Sequence, residues 1–424
     1  MKRNFNNKIK LAISSPLILI IFFAIFFRGA VAEIYWYPIA ISIILIFFLT
    51  FFLGEKKIIP PPYFLGLEKL FIIWLGWIII SGFTSPHRWN TVFALERILV
   101  GIIFLYLCLW IFQSRQSRKF LLWSLFFIGL FYSFFGLLSY FTKNSLFLMA
   151  DNLGLVRGSF VNHNSFAGLM LLCFFLGVGI LLSQESEKSL LASEIWAKRA
   201  FLIFPLLLIT LALGFSLSRS GWLALGFAIL LFIIWLSFYQ SSKKFRKYLP
   251  LVLGLIIISL ILLLILEKGA IKKRAQTLTE FFTEPITGLT LTGRAKIWKS
   301  SILMIKDHPF VGVGPGCFWL EYPKYRQKGE LHGIRHSHND LLELGAETGI
   351  IGLCLTLLLA YQIIRQIRNN YKLLTSRFEK RIFRGVSFGL FAFLLQDQVD
   401  FHFHIPGLYY YFLALLSFLL GAKK

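Results

Sequence analysis

Apolar runs of about 17 to 22 residues recur from one end of this chain to the other, and each is long enough to cross a hydrocarbon layer about 30 Å thick as a helix. In a bilayer every backbone N–H and C=O must be satisfied within the protein, which leaves a helix bundle or a closed barrel. No stretch alternates polar and apolar residues in the manner of barrel strands. The expected fold class is therefore all-α, a polytopic membrane helical bundle of about 12 transmembrane helices. Composition agrees: 57% of the 424 residues are hydrophobic and only 15% are charged, where a soluble enzyme carries roughly a quarter.

Hydropathy places the spans at 11–27, 34–53, 66–83, 98–113, 120–142, 165–183, 201–217, 221–240, 249–267, 349–367, 385–402 and 407–421. The first follows Lys2, Arg3, Lys8 and Lys10 as a signal peptide would. No small-residue cleavage site comes after it, so a retained span is expected. Alternate connections then differ in charge. One side receives the basic N-terminus, Lys56-Lys57, Arg115/Arg118/Lys119, Lys243 to Lys247, the basic run from Arg365 to Arg384 and Lys423-Lys424. Basic residues favour the cytoplasmic side, which predicts both termini inside and one long loop, 268–348, outside. The net charge of +24 is thereby largely an orientation signal, and nucleic acid is not an expected partner. The four cysteines form neither a disulfide framework nor a zinc spacing.

Within this apolar chain, Arg335-His336-Ser337-His338-Asn339-Asp340 concentrates ionisable groups just before a span. Holding such groups beside hydrocarbon is costly unless they face water, a partner or a ligand, so a functional site is expected there. Other polar groups fall on the same predicted outer side. Arg157, Asn162 and His163 precede span six, where Asn164 or Ser165 can cap the helix. Ser218-Arg219-Ser220-Gly221 is a very tight connection that leaves Arg219 at the membrane surface. Thr292-Gly293-Arg294 opens a helix whose Trp298, Ile302 and Ile305 share a face, as in a short amphipathic helix lying on the bilayer. The basic stretch Lys268 to Arg274 reads as solvated. His308-Pro309-Phe310-Val311-Gly312-Val313-Gly314-Pro315-Gly316 lacks the Gly-Lys-Ser/Thr ending of a P-loop and reads as a turn. Asp397, Asp400, His402 and His404 follow the penultimate span. Glu96 and Arg97 read as a local pair within an aromatic belt.

Guanidinium groups bind phosphate oxygens bidentately and stay charged, and a histidine can take a proton from an incoming hydroxyl. Arg219, Arg294, Arg335, His336 and His338, with Asp340, Glu343, Asp397 and Asp400 as candidate carboxylates, thus suit group transfer from a lipid diphosphate. A metal at His336 and His338 is disfavoured by their i, i+2 spacing.

The Ser-Arg-Ser-Gly connection, the Thr-Gly-Arg opening, the Pro-Phe-Val-Gly-Val-Gly-Pro-Gly turn, and His338-Asn339 followed after nine residues by Gly349-x-x-Gly352 resemble the O-antigen ligase and polymerase-related family over roughly 155–410. That resemblance implies a GT-C-like, inverting, metal-independent membrane glycosyltransferase with no cofactor. It would work on the periplasmic or external face of the bacterial cytoplasmic membrane, with a glycan on undecaprenyl diphosphate as donor. Residues 1–150 would be an N-terminal transmembrane scaffold and 151–424 the catalytic region. By motif, Arg219 and Arg294 would hold the diphosphate, His338 would be the base or acceptor-positioning residue, and Asn339 would orient it. Arg335, His336, Arg157, Asn162, His163 and Asp400 complete the expected substrate-binding set. The acceptor would be lipid A–core in a ligase, or a growing glycan in a repeat-unit polymerase. A small-anion transporter of the bicarbonate kind is the alternative from another class, although polar residues would then be expected near the bilayer midplane. A non-catalytic scaffold for polysaccharide assembly would leave Arg219 and His338 dispensable.

Overall fold

The computed structural model describes residues 2–143, 155–183, 192–239, 254, 257, 261, 291–327 and 333–421. The expected span 249–267 and the basic stretch Lys268 to Arg274 lie outside, or almost outside, the described residues. The principal helices are α1 (Lys2–Phe26), α2 (Glu33–Glu55), α3 (Glu68–Phe83), α4 (Arg88–Ile111), α5 (Arg115–Thr142), α6 (His163–Ser183), α7 (Ala192–Phe215), α8 (Arg219–Tyr239), α9 (Leu291–Asp307), α10 (Asp340–Leu373), α11 (Arg377–Asp397) and α12 (Pro406–Leu420). No strand occurs among the described residues. Of these, α2, α4, α5, α6 and α10 are long and apolar enough to cross a membrane, and α1, α7, α8 and α12 contain shorter apolar segments. The molecule is a membrane helical bundle.

Burial separates core helices from lipid-facing ones. Helix α6 is apolar nearly all round, and every residue from Asn164 to Ser183 is buried, as expected of a helix surrounded by others. Helix α2 instead turns Ile34, Ile41, Leu45, Phe48 and Phe52 outward. Because lipid tails are as apolar as leucine, close backbone packing rather than hydrophobicity holds such helices together. The α6/α11 contact shows this: a Cβ on Gly385 would sit 2.5 Å from Phe175 O and 2.6 Å from Gly179 Cα. A larger residue there would force the two backbones apart.

Helix α10 begins at Asn339, whose side chain caps it by accepting from Leu342 N. It breaks at Gly349, with φ 70° and ψ −179°, a region essentially reserved for glycine. The glycine-rich turn His308–Gly316 splints that break. Val313 N and Gly314 N donate to Ala346 O and Glu347 O at 3.0 and 2.9 Å, and Ile350 N donates to Pro309 O at 2.8 Å. The nine-residue interval between His338-Asn339 and Gly349 is therefore the length of helix between a cap and a break.

Helix α9 packs on this region through a face centred on Ile297 and Met304, with Ile305 at its edge. Ile297 and Met304 are buried with Val313, Cys317, Phe318, Tyr322 and Ala346, whereas Ile302 is exposed. The buried face is made narrow by Ser300 and Ser301, which are also fully buried. Ser300 Oγ donates to Tyr325 O and Ser301 Oγ to Ile297 O. Polar residues at the closest approach hide the inward face from a hydropathy reading.

Gly349→Ala is expected to destabilise the folded protein by about 2 kcal/mol or more, because an added Cβ would lie 1.9 Å from Phe310 O. Thermal unfolding in detergent, compared with wild type, measures the loss.

Candidate functional site

His338 sits immediately before the α10 cap in the left-handed region, φ 54°, an uncommon conformation for a histidine. The turn around it is tightly held. Asn339 caps α10 with Oδ1 while its Nδ2 donates to Gln398 O at 3.0 Å. Ser337 N donates to Glu343 Oε2 at 2.7 Å, and Ser337 Oγ donates to Asn339 O. The ring of His338 is buried and meets the edge of Phe401 at 4.9 Å. Its Nδ1 lies 3.9 Å from Asp400 Oδ1, too far for a hydrogen bond.

Burial pushes the His338 pKa down to about 4; Asp400 works against this and Arg294 adds to it. The imidazole is thus neutral at pH 7. Arg294, on α9, is lowered first by burial, is raised by Asp400 and is lowered again by Arg219. These mutual influences bring Arg219, Arg294, Asp400 and His338 into one electrostatic neighbourhood, although they come from α8, α9, the segment after α11 and the segment before α10. Arg219 is exposed while Asp400 is fully buried. Arg294 thus feels both Asp400 and Arg219, and His338 feels Asp400, Glu343 and Arg294. Arg294 Nε, His338 Nδ1 and Asp400 Oδ2 are all buried without hydrogen-bond partners.

His336 belongs to a second cluster. Its Nδ1 lies 2.9 Å from Glu343 Oε1, which is also 3.2 Å from His404 Nε2, while His404 Nδ1 is 3.1 Å from Asp340 Oδ1. Phe403 N donates to Asp340 Oδ2. Burial alone would lower the His404 pKa, but Glu343 and Asp340 outweigh it and raise it to about 10. His404 is consequently an imidazolium bridging two carboxylates, tying the start of α10 to the turn before α12. Burial lowers the pKa of His336, with Glu343 opposing and His404 and Arg97 reinforcing the shift. The donor atoms of His336, Glu343 and His404 lie within 4.8 Å of one another and could also hold a metal ion. The two histidines of the His-Ser-His stretch therefore face different partners.

The other expected residues are placed unevenly. Arg335 is exposed, and no described contact joins it to Arg219 or His338. Arg157 closes its own loop, its Nη1 donating to Val161 O at 3.0 Å. Asn162 accepts from Asn164 N at 2.9 Å, and His163 opens α6 half-buried. Arg97 carries more than a local pairing. Its guanidinium lies over Phe93 and Trp36, its Nη2 donates to Val31 O, and it reaches His336 electrostatically. Glu96 meanwhile accepts from Tyr37. His404 was visible in sequence only as one of several surface-compatible polar residues; its role as a bridge depends on Asp340, 64 positions away.

A bundle of apolar helices with ionisable side chains gathered around His338 defines a membrane protein with a candidate polar site. Comparison with known proteins agrees. Residues 204–357, which carry Arg219, Arg294 and His338, match the family described as O-Antigen ligase. The chain is 34% identical over 87 residues to the exopolysaccharide production protein ExoQ of Rhizobium meliloti (strain 1021), a stretch of 19% of this chain and 20% of ExoQ. A Rickettsia conorii (strain ATCC VR-613 / Malish 7) protein named as a polysaccharide ligase is 28% identical over 208 residues, 46% of this chain and 44% of that protein. The chain spans less than half the length of either relative. Over residues 204–357 the chain is similar to O-antigen ligases.

A histidine whose pKa is raised by folding adds stability below its unfolded value near 6.5, and that stability is lost as pH rises toward the folded value. With His404 raised to about 10, the melting temperature should fall between pH 7 and pH 9. The His404→Gln variant should show a flatter dependence over the same range.

Proposed function

We propose that this protein transfers a glycan from undecaprenyl diphosphate to an acceptor hydroxyl, with inversion, on the outer face of the bacterial cytoplasmic membrane. The observation that carries this reading is a chain of electrostatic influence: Arg294 and Asp400 act on His338, and Arg219 acts on Arg294. In the proposed step, neutral His338 accepts the proton of the acceptor hydroxyl, and the hydroxyl oxygen attacks the anomeric carbon. The bond from that carbon to the diphosphate oxygen breaks, and the departing negative charge passes to Arg219 and Arg294. Positioned cations of this kind stabilise the charge that develops on a leaving phosphate. Asp400 faces Nδ1 of His338, so a proton there leaves Nε2 as the accepting atom. The guanidinium groups supply the positive charge, and the step is proposed to need no metal. Both termini would lie in the cytoplasm. Residues 1–150 would form the scaffold and 151–424 the catalytic region, with Arg335, His336, Asn339, Arg157, Asn162 and His163 contacting or orienting substrate at its margin.

In the ligase reading the acceptor is lipid A–core, which the likeness to a polysaccharide ligase supports. The second reading is extension of a growing glycan, supported by the likeness to an exopolysaccharide production protein. Arg219→Ala, Arg294→Ala and His338→Ala, made singly in the native host, distinguish them. Each should reduce transfer by about 100-fold or more. Loss of capped lipid with accumulation of lipid-linked polymer marks a ligase, and single-repeat products mark a polymerase. Unchanged surface glycans with altered anion uptake would overturn the transferase reading in favour of a transporter. Because neutral His338 is the reactive form and its pKa lies at about 4, in vitro transfer should persist to about pH 5. An ordinary histidine base would already be largely protonated there.

A further inference from the structure

The tight connection that carries Arg219 is fastened from behind by two buried carboxamides, neither of which the transfer step uses. Ser218 is fully buried. Its Oγ accepts from Gly221 N at 3.2 Å, capping α8, and donates to Asn164 Oδ1 at 2.8 Å. Gln396, in the last turn of α11 and also fully buried, donates through Nε2 to Asn164 O at 2.9 Å. The same nitrogen stands 3.5 Å from Ser220 Oγ. His402 Nε2 approaches the same Asn164 carbonyl at 3.3 Å. Both serines flanking Arg219 are thus linked to the first turn of α6 and the last turn of α11.

Burying two carboxamides in an apolar bundle is costly, whereas leucine or alanine would serve a simple packing contact. Hydrogen bonds made in a buried network favour one arrangement of the elements they join, although here Gln396 Oε1 and His402 Nδ1 are left without partners. The arrangement selected here fixes where α8 begins relative to the segment that bears Asp400, four residues beyond Gln396. Arg219 is exposed on a long side chain, so its placement beside Arg294 and Asp400 depends on its backbone being held. Gly221 contributes to the same register, since a Cβ there would lie 2.9 Å from Ala167 Cβ.

We infer that Asn164 and Gln396 are positioning residues that hold Arg219 in register with Arg294 and Asp400, and so set the affinity of the site for a diphosphate. This rests on the proposed diphosphate role of Arg219. The two links are separable. Asn164→Ala removes the acceptor of Ser218 Oγ while keeping the backbone carbonyl, and Gln396→Met removes the donor to that carbonyl while keeping similar length.

The test titrates purified full-length protein in detergent with farnesyl diphosphate, alongside thermal unfolding of each variant. Asn164→Ala and Gln396→Met should each weaken binding by about fivefold to twentyfold, with melting temperatures close to wild type. Neither should weaken binding further when added to Arg219→Ala, because positioning residues act only through the group they position. Wild-type affinity in both single variants, or losses that add fully to that of Arg219→Ala, would overturn the inference while leaving the functional reading intact. Wild-type affinity in Arg219→Ala itself would overturn the functional reading and this inference with it. If one variant does not fold, the other carries the test.

Discussion

A polar atom buried among apolar helices is expensive unless something hydrogen-bonds to it, and this constraint organises the end of the bundle that bears His338. Most polar groups there are paired over long sequence distances. Asn339 reaches Gln398, Asp340 reaches His404, and Gln396 reaches Asn164. Arg294 Nε, His338 Nδ1 and Asp400 Oδ2 are among the buried atoms left without hydrogen-bond partners, as are Gln396 Oε1 and His402 Nδ1. In the proposed function, Arg219 and Arg294 beside these groups would receive the negative charge of a diphosphate.

The break at Gly349 makes this arrangement possible. At the break the glycine-rich turn reaches the helix backbone, with Val313 N and Gly314 N donating to Ala346 O and Glu347 O and Ile350 N donating to Pro309 O. The turn carries no phosphate chemistry of its own. Its backbone amides are spent on Ala346 and Glu347 carbonyls, and its contribution to function is to hold the helix segment that begins beside His338. The His404 imidazolium acts from the other side, pinning Asp340 and Glu343 to the turn before α12.

Much of this was legible in the sequence. Every expected span that lies within the described residues falls on a helix, because twenty apolar residues in a row leave little choice of structure. The importance of Arg219, Arg294 and His338 could be suspected because each is an ionisable residue without a topological reason to sit at the outer membrane surface. What remained hidden depends on tertiary pairing. Asn164 participates partly through its backbone carbonyl, which every residue possesses, and Gln396 is one amide at the end of an apolar helix. His336 and His338 look equivalent in sequence, yet one faces Glu343 and the other Asp400. The protein-facing side of α9, with Ile297, Ser300, Ser301 and Met304 buried, was not assigned from the sequence. Arg97, grouped by proximity with Glu96, instead stacks on Trp36 and Phe93.

The most direct measurement is a cryo-electron microscopy structure of the full chain with undecaprenyl diphosphate bound. The account predicts diphosphate density within hydrogen-bonding distance of both Arg219 and Arg294, with His338 facing the position from which an acceptor would approach. Density seated elsewhere in the bundle, or guanidinium groups turned away from an occupied diphosphate, would contradict it.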